Sequence, residues 1–258
     1  LFFLPRFQPI EVLKPFLIIT LATILCDIKS NILFKYLISI FLISFISLLL
    51  IAQPDIGQTL LVIFCWAVLI FTSGINIYIL LAIFIAGASL LTYLIIYVPR
   101  FDYIQGRIFS FFNRETGTHN FQSDKAIESI TSGGFFGKGI GEGVLKNRVP
   151  EAHTDYIISV ISEEFGVVAI MLILLLFLIL IYMVFKKISF ETNDKVKLIL
   201  IGSISLILMQ ATIHVGVNIR LFPTTGMTLP FLSYGGSSII STSILGGIIL
   251  NLTKRKIT

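Results

Sequence analysis

Charge is what this chain of 258 residues has least of. Asp, Glu, Lys and Arg together make up 13% of it, where an average soluble chain carries roughly 25%. None of the four occurs from residue 56 to 99, from 165 to 185, or from 221 to 253. A soluble globular domain is thereby excluded, because each uncharged run reaches the roughly 20 apolar residues that cross a bilayer. Cysteine is nearly absent too. Cys26 and Cys65 both sit in apolar runs and read as small hydrophobes, which excludes a disulfide framework or a cysteine metal site. The three histidines, His119, His153 and His214, are far apart, so a histidine-rich zinc site is not expected, even with His153 close to Glu151. The net charge of +5 comes mostly from Lys and Arg flanking the apolar runs, which orients a membrane protein and is no nucleic-acid signature.

What is present is apolar: 56% of the residues are hydrophobic and the mean hydropathy is +0.98. The pattern predicts an all-α polytopic membrane protein. Seven spans are expected, at about residues 16–26, 36–52, 56–71, 75–98, 155–185, 198–215 and 231–252. Basic residues Lys29, Lys35, Lys186, Lys187, Lys195, Lys197, Lys254, Arg255 and Lys256 place their links and the C-terminus in the cytoplasm. Alternation then puts Gln53-Pro54-Asp55, the polar segment 99–154 and residues 216–230 outside. Seven spans also place Leu1 outside, so an odd number of preceding spans would restore a cytoplasmic start. The first residue is Leu, not Met, and residues 1–15 do not read as a signal peptide ahead of the first apolar segment.

Within the polar segment, Phe101, Ile104, Ile108 and Phe111 recur at helical spacing with Asp102 and Arg107 off that face, which predicts an interfacial amphipathic helix. Residues 122–131 suit a second short helix, and 132–143 a glycine-rich loop. Ser132 to Gly139 lacks the Walker spacing, with Ser132 and Gly139 at the two diagnostic positions. A closely approached backbone loop is the expectation there.

The polar segment meets the longest apolar run at residues 148–166. A helix starting near Asp155 would carry Asp155, Ser159, Ser162, Glu163 and Gly166 on one face. Asp155 is suited to cap that helix. Glu163, roughly 12 Å further along the same face, either serves function or pairs with a polar group such as Gln210, His214 or Arg220. After the sixth span, residues 223–238 hold two prolines among glycines and hydroxyl residues, an irregular backbone that suits a cavity floor or close helix packing.

Four motifs stand in order: Gln53-Pro54-Asp55-Ile56-Gly57, Pro150-Glu151-Ala152-His153-Thr154-Asp155, Glu163-Glu164-Phe165-Gly166, and Pro223-Thr224-Thr225-Gly226 through Ser233-Tyr234-Gly235-Gly236-Ser237-Ser238. Together they resemble the SEDS family of FtsW, RodA and SpoVE across essentially the whole chain. The second and fourth look more like the division member, FtsW, than the elongation member. Met227-Thr228 and Arg220 depart from the family pattern. The resemblance implies ten spans with a large extracytoplasmic loop after the seventh. Residues 1–258 would then be one SEDS-type membrane domain lacking its first three spans, with the large loop at 99–154.

The resemblance further implies a peptidoglycan glycosyltransferase of the bacterial cytoplasmic membrane, polymerising lipid II at the division septum. A class B penicillin-binding protein, other division proteins and membrane lipids would be its partners, with no nucleic acid. Asp155 matches the family's essential aspartate and would act as general base. Lys138, Lys146, Arg148 and Arg220 are candidates to clamp pyrophosphate, alone or with a divalent cation. Glu151, His153, Ser233 and Tyr234 are further substrate-binding candidates. Support is assigned to Gln53, Pro54, Asp55, Glu163, Glu164, Gly235 and Gly236. A lipid II flippase and a non-catalytic divisome scaffold are the rival readings.

Overall fold

A computed structural model describes residues 8–27, 31–113 and 118–254. Lys29, Arg255 and Lys256, used above to orient the chain, and Arg114 and Glu115 of the polar segment lie outside the described residues. Among the described residues the regular elements are helices: α1 Pro9–Leu25, α2 Ile32–Ala52, α3 Ile56–Thr72, α4 Ile77–Tyr97, α5 Asp102–Asn113, α6 Thr118–Gly133, α7 Ile157–Phe190, α8 Asp194–Asn218 and α9 Gly236–Thr253. The chain is an all-α polytopic membrane protein. Stretches of α2, α4, α7, α8 and α9 are long and apolar enough to cross a bilayer. At 17 residues each, α1 and α3 lie at the short end of the crossing range.

The helix ends follow from local chemistry. Pro9 opens α1, where its missing N–H costs nothing. The Asp55 carboxylate accepts from the Gln58 N–H at 3.0 Å and caps α3. Asn76 caps α4 in the same way, accepting from the Tyr78 N–H at 2.9 Å.

The helices divide into two compact units. The first contains α1–α3, residues 175–190 of α7, residues 194–211 of α8, and α9. Its core is apolar around Leu61, Leu69, Ile70, Leu200, Ile204 and Ile207. A Cβ on Gly202 would come within 2.8 Å of the Ile18 side chain and 3.1 Å of Leu69, so glycine there lets α8 approach α1 and α3 closely. One polar knot interrupts this core. The Lys14 ammonium donates to Glu11 Oε1 at 3.4 Å and to the side-chain oxygens of Gln58 and Gln210 at 3.2 Å each. Gln58 donates in turn to Glu11 at 2.9 Å. Lys14 is 1% and Glu11 2% exposed, a degree of burial charged residues tolerate only when paired.

The second unit contains α4–α6, residues 157–174 of α7, residues 212–218 of α8 and the irregular segment to Leu229. Here the expected short helix at 122–131 is longer at both ends, running from Thr118 to Gly133. Gly133 allows its end to abut α7: a Cβ there would stand 2.8 Å from the Glu163 Cα. Helix α7 begins at Ile157, two residues after Asp155, and departs from helical geometry at Gly166, φ +77°.

Candidate functional site

The turn preceding α7 places Asp155. Glu151 adopts a positive φ of +53°, and its carbonyl accepts from the N–H groups of Thr154 and Asp155 at 3.1 Å and of Tyr156 at 3.4 Å. Three converging donors fix a tight reversal that presents the Asp155 side chain beside residues 223–229. Tyr156, buried beneath, shares a hydrogen bond of 3.4 Å with the Ser123 hydroxyl. Burial pushes the Tyr156 phenol above the usual tyrosine range; the bond to Ser123 acts against this and the neighbouring Asp155 charge adds to it.

Asp155 lines a cavity of about 140 Å³ together with Arg107, Gln122, Tyr156, Val217 and the strap Thr224–Met227. All of these residues belong to the second unit. The cavity is small against ligand pockets of about 300–1,000 Å³, so it would admit only part of a larger ligand. Its polar side chains supply one carboxylate, one guanidinium, one amide, the Tyr156 phenol and the hydroxyls of Thr224 and Thr225. The Thr225 hydroxyl is buried without a hydrogen-bond partner.

Two side chains pin the strap by its carbonyls. Arg107 donates to Thr224 at 3.2 Å, and His214 Nδ1 lies 2.7 Å from the Met227 oxygen. Gly226, at φ +68°, suits the tight curve between them. A Cβ on Gly226 would sit 3.6 Å from Asp155 Oδ2, which measures how closely the strap overlies the carboxylate. Beneath, the Asn218 amide donates to the Asp155 main-chain carbonyl at 3.1 Å and to the His214 carbonyl at 2.9 Å. The end of α8 therefore holds both the aspartate and the strap.

The remaining site candidates go elsewhere. Lys138 pairs with Glu163 at 3.3 Å and Lys146 with Glu164, so a pyrophosphate would have to compete with two carboxylates for them. Arg220 pairs with Asp124. Arg148, Glu151 and His153 are exposed and do not line the cavity around Asp155. Ser233 is buried and Tyr234 is 80% exposed, both in the first unit; Gly235 and Gly236 begin α9 there. Gln53 and Pro54 form the exposed turn ahead of α3.

The stripe on α7 is a packing surface and not a wall of the cavity. Ser159, Ser162 and Glu163 are fully buried. Glu163 accepts from Ser129, Lys138 and the N–H groups of Leu145 and Lys146, not from Gln210, His214 or Arg220. Arg107 escaped the sequence reading, because helical periodicity only placed it off an apolar face. Among the described residues no group of three or more His, Cys, Asp or Glu could hold a metal ion. A larger cavity of about 1020 Å³ in the first unit, lined by Asp27, Lys35, Asn193 and Asp194 among others, contains none of the expected site residues.

The family model for the FtsW, RodA and SpoVE cell cycle proteins matches residues 2–257. A relative from Caulobacter vibrioides, named "Probable peptidoglycan glycosyltransferase FtsW", is 34% identical over 96% of this chain and 63% of its own length. One of the same name from Enterococcus hirae is 31% identical over 98% of this chain and 66% of its own. The chain thus spans just under two thirds of these relatives. Among solved structures, a chain from a peptidoglycan synthase complex, studied for how polymerization and crosslinking are coordinated, superposes with a TM-score of 0.76 at 27% identity. It covers 98% of this chain and 71% of that one. The rod shape determining protein RodA of Thermus thermophilus does so with a TM-score of 0.65 at 28% identity, over 98% and 67%. The order of motifs and the helical membrane fold thus have one common explanation: the chain belongs to the FtsW/RodA/SpoVE family of cell cycle proteins.

Proposed function

We propose that this chain carries the active site of a peptidoglycan glycosyltransferase that polymerises lipid II at the outer face of the bacterial cytoplasmic membrane, at the division septum. The observation that carries this reading is the cavity in which the Asp155 carboxylate and the Arg107 guanidinium lie under one strap. The names of the relatives support the reaction class. On this reading residues 99–154 form the outer loop of a single membrane domain, the C-terminus is cytoplasmic, and a class B penicillin-binding protein crosslinks the product.

The chemistry needs little more than this cavity supplies. A sugar hydroxyl of one lipid-linked disaccharide bonds through its oxygen to the anomeric carbon of another. The bond from that carbon to the lipid pyrophosphate breaks, and its electron pair leaves with the pyrophosphate. The hydroxyl proton passes to Asp155 as general base. Pyrophosphate is a good leaving group once its charge is offset, so no second carboxyl is required to protonate it, unlike the glycoside case. Arg107 is placed to offset that charge and holds the strap with the same guanidinium. Lys138, Lys146 and Arg220 serve instead as the cations of structural ion pairs.

The test is reconstitution of the protein, with whatever sequence precedes residue 1, in vesicles supplied with labelled lipid II. Glycan strands on a gel support the proposal. Movement of lipid II between leaflets without strands would replace it with the flippase reading.

A further inference from the structure

The loop 134–144 presents its largest apolar side chains outward. Phe135 is 75% exposed, Phe136 85%, Ile140 79% and Val144 61%. Exposure of this kind in a short loop calls for an occupant.

Much of the backbone of the loop is bonded to protein. The N–H groups of Gly137, Lys138 and Gly139 donate to the carbonyls of Gly133, Glu163 and Glu164 at 2.9, 2.9 and 3.0 Å. In return the carbonyls of Gly134 and Phe135 accept from Val167 and Val168 at 3.0 and 3.3 Å. Gly141 donates to the Glu164 carboxylate at 3.2 Å, and Leu145 and Lys146 donate to the Glu163 carboxylate at 3.0 and 2.6 Å. Water would satisfy such groups for any surface loop. Hydrocarbon would not, and irregular backbone survives there only when its polar groups find protein partners. The Lys138 and Lys146 ammoniums are neutralised by Glu163 and Glu164, while the exposed Glu142 carboxylate of the same loop must stay on the aqueous side.

Height is set by the bonds to α7. Val167 and Val168, the partners of the Phe135 turn, stand at the start of the uncharged run 165–185. They are themselves exposed, as are Met171 and Leu172 one turn on. The apolar tip is thus continuous with the lipid-facing surface of a membrane helix. Gly166 makes this registry possible: a Cβ there would run into the Phe135 carbonyl, and its φ of +77° suits glycine.

We propose that Phe135, Phe136, Ile140 and Val144 are seated in the lipid leaflet surrounding the start of α7, with Glu163 and Glu164 as the anchors that hold the loop there. The loop is a fixed lipid-contacting wedge beside the helix, and its occupant is acyl chain.

The experiment places a tryptophan at the tip. The native Trp66 is buried, and its emission is subtracted using the unmodified protein. Phe136→Trp and Ile140→Trp are reconstituted in phosphatidylcholine vesicles with and without acyl-brominated lipid, beside Glu128→Trp on the exposed face of α6. Both tip variants are expected to emit to the blue of the Glu128→Trp protein, to lose intensity on brominated lipid, and to resist iodide. Quenching of the tip by iodide and not by brominated lipid would overturn the proposal. Protection from both quenchers would overturn it equally, since the tip would then be covered by protein.

Discussion

The side-chain amide of Asn218 donates to the main-chain carbonyl of Asp155 at 3.1 Å, although the two residues are 63 positions apart. It is the tie between the end of α8 and the turn that presents the proposed base. Asn218→Leu removes the donor and leaves a partly buried carbonyl, a loss of about 1–1.5 kcal/mol in positioning. Polymerisation is expected to fall about tenfold in kcat with little change in KM. A steady-state titration of lipid II separates the two, and a raised KM at constant kcat would assign Asn218 to substrate binding.

Arg107 holds the Thr224 carbonyl and faces the cavity. Arg107→Lys keeps the charge but loses the planar fork. The expected outcome is a fall of roughly tenfold to a hundredfold in kcat/KM, consistent with the loss of one oriented charge-assisted contact. Strand yield at limiting lipid II reads it directly, and an unimpaired lysine variant would remove Arg107 from the mechanism.

The knot at Lys14 is a stability element. Lys14→Met strands the buried Glu11 carboxylate and is expected to cost about 3–5 kcal/mol, whereas Glu11→Leu with Lys14→Met together should recover most of that loss. Thermal unfolding in detergent distinguishes them: the double variant melts above the single one.

Gly166→Ala meets two costs at once, a positive φ of +77° and a collision with the Phe135 carbonyl. Destabilisation of about 2 kcal/mol or more is expected. Release of the loop should also expose the peptide bond after Lys138 to trypsin, which a timed digest measures.

Apolar runs and motif order made the membrane fold and Asp155 legible, because both are properties of consecutive residues. The partners of Glu163 were not legible. Apart from Ser129 on α6, they come from a loop whose glycines let backbone meet backbone, and close approach leaves no periodic trace. Arg107 was hidden for a related reason. An amphipathic pattern says which residues avoid the apolar face but not that a strap 117 residues later will arrive to cover one of them. Lys14 and Glu11 stand three residues apart at the start of α1, and only the convergence of Gln58 and Gln210 identifies a buried knot.

The central claim is that Asp155 takes the proton in glycosyl transfer. Its most direct test compares Asp155→Asn with the unmodified protein in the same vesicles, measuring glycan strands from labelled lipid II together with lipid II binding. Binding is expected to persist while strand formation falls by at least about a hundredfold, the scale of a lost general base. Strands forming at an undiminished rate from Asp155→Asn would contradict the claim.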